Sequence, residues 1–273
     1  MYKRQVNRTY NLPSYVSNST LLICSSYSGN TEETLSAFDE GVQKGCKIIV
    51  LTTGGKLLEK ANKIGVPVLM LKSGFQPRFA LYSNLTALIK IFEKLKVLSS
   101  QSENIKEAVS VLAKQSKNFG SFDGYPKHIA EQIKNTIAVV YGFDGLNGSL
   151  AVRFKGQLNE NGKIHSFANI IPEMNHNEIV GWETVVEKKH KMSVFLFNDK
   201  DAHPQNKKRW GVMNTLFEKY GLNVFVLESS AENKLVRALE LIYLGDWISY
   251  FTALLNKRDP GEIDNIHYMK NNL

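Results

Sequence analysis

Apolar and polar positions along this chain fall into blocks of two lengths. Short apolar or β-branched runs occupy 20–25, 47–52 and 66–71, and between them the segments 31–44 and 56–64 carry apolar residues at helical spacing. The order repeats later, with strand-like runs at 136–141, 192–198 and 223–228 and helical patterns at 145–159, 206–220 and 231–255. Gly45 and Gly65 stand where helix C-terminal caps belong. Strands alternating with helices predict an α/β fold of two doubly wound lobes with mainly parallel sheets. Between the halves, helical patterns at 78–98 and 102–117 are joined by Ser99-Ser100-Gln101 and followed by the polar stretch Gly120-Ser121-Phe122-Asp123-Gly124. The expected division is an N-terminal lobe at 1–98, a helical linker at 99–124 and a C-terminal lobe at 125–273. Two such lobes would leave a cleft at their edges, a common place for a small-molecule site.

Composition narrows the class. A chain of 273 residues, 43% hydrophobic and 22% charged, can bury a substantial core. Its longest apolar runs are strand-sized, so no transmembrane segment is expected, and residues 1–10 lack the apolar core of a secretion signal. A cytoplasmic location is the default. Cys24 and Cys46 have no ligand-spaced Cys or His beside them and are expected to be packed thiols. The formal charge of +8 is spread over scattered lysines and suits anionic metabolites as well as nucleic acid. No membrane or nucleic-acid partner is expected.

Three segments carry candidate chemistry. The first, Ser25-Ser26-Tyr27-Ser28-Gly29-Asn30-Thr31-Glu32-Glu33-Thr34, follows an apolar strand and opens a helix. Hydroxyl residues and a glycine at that junction offer a phosphate unpaired N–H groups and side-chain donors. The same residues would serve equally to turn and cap the helix. No Gly-Lys-Ser/Thr loop and no Gly-x-Gly-x-x-Gly run is present, so a sugar phosphate is expected and not a nucleotide. The second segment has Leu146, Leu150, Phe154 and Leu158 on one buried helical face, with Glu160 at its end beside Asn161-Gly162. That placement lets the carboxylate project from a helix terminus, although a terminal Glu is more commonly plain surface. The third, Pro172 to Glu183, contains His176, an imidazole able to exchange protons near neutrality, which neighbouring amides and Glu178 could orient. A capping box from Asn175 to Glu178 is the structural alternative.

These motifs, together with Gln76-Pro77-Arg78, Gln157-Leu158-Asn159-Glu160-Asn161 and Asn175-His176-Asn177-Glu178-Ile179-Val180-Gly181-Trp182, resemble the bifunctional phosphoglucose/phosphomannose isomerase family. They occur in that family's order. The serine-rich motif is shared by all sugar isomerase (SIS) domains, whereas the later ones belong to this branch. The resemblance implies two SIS lobes, no metal or redox cofactor, a sugar 6-phosphate substrate and a homodimer with a shared active site. It implies aldose–ketose isomerisation of glucose 6-phosphate and mannose 6-phosphate to fructose 6-phosphate through a cis-enediol. Ser26, Ser28 and Thr31 would bind the phosphate, and Glu160 would move the proton between C1 and C2. Arg78 would stabilise the enediolate. His176 would assist ring opening from the neighbouring subunit, and Lys270 would work on the ring oxygen or O1. Family members begin with a further helix and a glycine- and serine-rich turn that have no counterpart here. Residues 1–5 are therefore expected not to be a native start, and weak activity or low stability is expected of the chain as it stands. A sugar-phosphate sensor without turnover is the competing class, but it would have no use for Glu160 and His176; an aminosugar isomerase is the enzymatic runner-up.

Overall fold

Parallel strands need crossovers of helical length, and the alternation of runs along the chain supplies them. The computed structural model describes residues 5–272, so most of the expectation about residues 1–5 lies outside the described residues. The chain divides into two compact units after Gln101.

In the first unit β1 (Leu21–Ser25), β2 (Lys47–Thr52) and β3 (Val68–Met70) form a parallel sheet in the order β1-β2-β3. Helices α1 (Glu32–Gln43) and α2 (Gly55–Ile64) make the crossovers. Alternation along β2 divides the core. Ile48 and Val50 pack with Cys24, Phe38, Leu57 and Ala61, whereas Leu51 packs with Leu71, Ala87 and Ile91 on the other face. The latter pair belongs to α3 (Leu81–Lys94), so both faces are covered, as a parallel sheet requires.

In the second unit β4 (Ile137–Phe143), β5 (Ser166–Ile171), β6 (Met192–Phe197) and β7 (Asn223–Leu227) form a parallel sheet in the order β5-β4-β6-β7. One face, through Val140, Phe195 and Phe197, meets α5 (Tyr125–Ile133), α6 (Leu146–Glu160) and α9 (Lys234–Leu255). The other, through Tyr141, Val194 and Leu196, meets α7 (Glu178–Glu187) and α8 (Pro204–Lys219). Helix α9 is long and apolar enough to cross a membrane by length and composition, but most of its apolar side chains are buried within this core.

The structure departs from the periodicity reading at identifiable places. The strand expected at 66–71 shortens to β3, since Pro67 has no N–H to donate and offers only its carbonyl, to Val50 N at 2.9 Å. The helix expected from 78 opens as a 3-10 turn, Pro77–Ala80, before α3. The stretch expected as a linker contains α4 (Ser102–Phe119), which packs along α9 and falls within the second unit. Helices α5, α7 and α10 (Asp264–Asn271) and strand β5 were not legible from periodicity. Both cysteines are free: burial pushes the Cys24 thiol up to about 12, and Cys46 Sγ donates to Ser17 O at 3.3 Å.

Candidate functional site

The serine-rich segment leaves β1 at the C-terminal edge of the first sheet and folds back on itself before α1. Ser26 is buried, and its Oγ lies 2.8 Å from Thr31 Oγ1 while accepting from Gly29 N at 3.1 Å. Ser28 Oγ accepts from Asn30 N at 3.2 Å. Thr31 is the N-cap residue of α1 but its side chain makes no capping bond, so the first-turn N–H groups keep the orientation that favours an anion. Glu32 and Glu33 also occupy that turn, and Glu32 accepts from Tyr10 OH at 3.2 Å.

A second loop, after β2, grips the first. Asn30 Oδ1 accepts from Lys56 N at 3.1 Å, Gly29 O accepts from Leu57 N at 2.9 Å, and Tyr27 O accepts from Thr53 N at 3.0 Å. The approach is close enough to demand glycine. Gly29 has φ +70°, and a Cβ there would lie 1.8 Å from Gly54 O; a Cβ on Gly55, at φ +69°, would lie 2.4 Å from Ser28 O. The Gly54-Gly55 pair at a strand end was the available sequence signal for this second loop.

Arg78 sits in the 3-10 turn, buried, with its guanidinium carbon 4.6 Å from the centre of the Phe79 ring. Pro77 sets the start of that turn, and Arg78 is buried where helix-start surface would otherwise be expected.

In the second unit Glu160 is the last residue of α6 and is half-buried. Its position is fixed from both sides. Asn159 joins α6 to the start of β5, donating to Ser166 O at 3.0 Å and accepting from Ser166 N at 3.3 Å. Lys163, which has φ +55°, donates to Glu160 O and to Glu262 O, both at 2.6 Å. An ammonium at the last carbonyls of a helix is also favoured by the helix dipole. One turn back, Arg153 and Gln157 meet Asp246 of α9 at 3.1 Å and 2.6 Å, and burial pushes that carboxyl up despite these partners.

His176 ends a 3-10 turn, Glu173–His176, that follows β5. Its ring is exposed and makes no hydrogen bond among the described residues. The expectation that Glu178 orients it is not met: the Glu178 carboxylate accepts from Tyr141 OH and from Asn169 Nδ2, and Tyr141 OH in turn accepts from Trp182 Nε1 at 3.0 Å. Burial, then the Glu178 charge, raises the Tyr141 pKa. The capping box is not formed either, since Asn177 caps α7 with Oδ1 accepting from Glu178 N at 2.6 Å. Lys270 lies exposed on α10. Thus Ser26, Ser28 and Thr31 are brought together, Glu160 is anchored at a helix end, and His176 and Lys270 stand on separate exposed elements.

One spacing within the second unit separates two of these residues. Asn159, the neighbour of Glu160, bonds Ser166, the first residue of β5, whereas the turn ending in His176 follows Ile171, its last. Five strand steps separate the two ends by roughly 17 Å. The backbones of Glu160 and His176 therefore lie toward opposite edges of the same sheet.

Residues 122–273 match the family described as bacterial phospho-glucose isomerase C-terminal SIS domain. The bifunctional phosphoglucose/phosphomannose isomerase of Caldicellulosiruptor bescii is 39% identical, over 98% of this chain and 80% of that protein. The enzyme of the same name from Aquifex aeolicus is 36% identical, again over 98% and 80%. The chain belongs to the bifunctional phosphoglucose/phosphomannose isomerase family. Its fold agrees with that membership: tagatose-6-phosphate ketose/aldose isomerase of Escherichia coli superposes with a TM-score of 0.66 at 15% identity, over 91% of this chain and 73% of that one. As a member of this family the chain is an isomerase of the SIS class, with a role in sugar phosphate metabolism.

Proposed function

We propose that this isomerase interconverts glucose 6-phosphate and mannose 6-phosphate with fructose 6-phosphate through a cis-enediol. The observation that carries the reading is near-full-length similarity to relatives named for both activities, in a chain whose Glu160 is held at a helix end by anchors on either side. In this reading the Ser26, Ser28 and Thr31 hydroxyls and the first-turn N–H groups of α1 receive the phosphate. Glu160 takes the proton from C2 of the open-chain aldose and returns it to C1, while O1 and O2 exchange a proton as the carbonyl moves. A carboxylate suits this step because it must accept and then give back the same proton. Arg78 stabilises the negative charge that gathers on the enediolate oxygens, for which a permanently charged planar donor is suited. Before that, His176 and Lys270 open the pyranose ring, one accepting the O1 proton and the other supplying one to the ring oxygen.

The opposite-edge placement of Glu160 and His176 supports a homodimer in which the imidazole serves the partner's reaction centre. An exposed ring with no hydrogen bond among the described residues fits that use. The proposed location is the cytoplasm, since charged sugar phosphates do not cross a bilayer unaided.

The test is a coupled assay of fructose 6-phosphate formation from each aldose, with Glu160→Gln alongside. Both sugars should turn over, and the variant should lose a factor on the order of a hundred to ten thousand in kcat for both. Sugar-phosphate binding without turnover in the unsubstituted chain would reject isomerisation in favour of a sensor.

A further inference from the structure

Tyr27 lies between two of the residues placed at the phosphate, yet its side chain points elsewhere. Its hydroxyl donates to Lys72 O at 2.9 Å and accepts from Phe75 N at 3.0 Å, so it spans the loop that leads from β3 to the turn bearing Arg78. Its carbonyl accepts from both Thr53 N at 3.0 Å and Thr53 Oγ1 at 2.6 Å, in the loop after β2. Its ring packs against the cluster of Leu51, Leu71, Ala87 and Ile91, which includes two residues of α3. One residue thus joins all three loops at the C-terminal edge of the first sheet and braces the helix that continues from Arg78.

We propose that Tyr27 is a positioning residue that fixes the Arg78 turn relative to the serine loop. The proposal rests on the roles given above to Arg78 and to Ser26, Ser28 and Thr31. Four physical points support it. The segment 72–75 is exposed, lies outside any helix or strand and contains Gly74 at φ +97°, and its own exposed contact is Lys72 Nζ at 5.8 Å from the Phe75 ring centre. A hydroxyl that both donates and accepts removes two backbone polar groups of that segment from competition with water. The tyrosine side chain has only two soft dihedrals, and here the ring is fixed by packing, so the position of its oxygen follows that of the serine loop. A guanidinium that acts on a developing charge must be placed closely, since a displacement of about 1 Å can cost on the order of a hundredfold in rate. Binding of the phosphate end would in this way be coupled to the reacting end through one side chain.

Tyr27→Phe removes the oxygen and leaves the ring packing intact. Turnover of glucose 6-phosphate should fall by at least about tenfold in kcat, whereas inhibition by inorganic phosphate should stay within about twofold, because the serine loop keeps its own bonds. The same substitution in an Arg78→Ala background should cost little more, since there is no guanidinium left to place. A purely structural role would instead give an equal factor in both backgrounds, and that result, or an unchanged kcat in Tyr27→Phe alone, would overturn the proposal. Hydrogen exchange supplies a readout independent of turnover: the Phe75 amide should exchange at least about tenfold faster in Tyr27→Phe, and unchanged exchange there would also overturn it. Faster exchange supports the clasp even should the unsubstituted chain fail to isomerise sugar, an outcome that would count against the isomerase reading alone.

Discussion

The two units hold their candidate groups by different means. In the first, the loop that carries Ser26, Ser28 and Thr31 is fixed by hydroxyls, backbone groups and glycines, with Gly29 pressed against the loop after β2. In the second, Glu160 is fixed by charged and amide side chains: Lys163 at its carbonyl, Asn159 beside it, and Arg153 and Gln157, one or two turns earlier on α6, held to Asp246 of α9. The difference fits the role proposed above for each group. An anion cradle gains from donors that are short, neutral and preset, since they bring no countercharge and need no reorganisation. A base on the end of a long helix is placed by setting the helix, and setting a helix against another is the work of longer side chains that can span the gap.

Substitution of one residue in each unit would sharpen this contrast. The larger effect is expected from Gly29→Ala, because the added Cβ meets Gly54 O and the backbone stays at a left-handed φ. Stability should fall by on the order of 2–4 kcal/mol in chemical denaturation. The KM for a sugar phosphate should rise by about tenfold or more, as the two loops can no longer close on each other. An unchanged midpoint and KM would mean that the loops are not a preset cradle.

Lys163→Met should act on the other end. It keeps the aliphatic stem but removes the ammonium that bridges Glu160 O and Glu262 O. We expect kcat to fall by about tenfold, in line with loss of charge-assisted hydrogen bonds worth about 1–3 kcal/mol. KM should move by less than about twofold, since the residues assigned to the phosphate lie in the other unit. A change confined to KM would break the division of labour between the units.

Much of this arrangement was legible in the sequence. Regular alternation revealed six of the strands, because buried strands of a parallel sheet read as apolar runs such as Ile48 to Leu51. The seventh, β5, is an edge strand with Ser166 and Asn169 among its six residues, and neither its composition nor its burial gives a clear run. Helix α10 has no buried residue, so no apolar stripe could announce it. The candidate residues themselves were found by type and spacing, with the family resemblance needed for Arg78 and Lys270. What could not be read was their support. Tyr27 meets Lys72 and Phe75 across more than forty residues, and Lys163 meets Glu262 across ninety-nine. Contacts of that range depend on sheet order, which periodicity does not reveal. The capping box offered as the alternative at Asn175 fails for the same reason: Glu178 is drawn to Tyr141 on β4 and Asn169 on β5, and Asn177 takes over the cap.

The central claim is that Glu160 and His176, on opposite edges of one sheet, serve reaction centres in different copies of the chain. Mixing separately inactive Glu160→Gln and His176→Ala chains, after dissociation and reassembly, tests it most directly. Random pairing would give half mixed dimers, each with one centre that carries both substitutions and one that carries neither, so about a quarter of unsubstituted turnover should return. A mixture as inactive as its parents, with mixed dimers shown to form, would contradict the account.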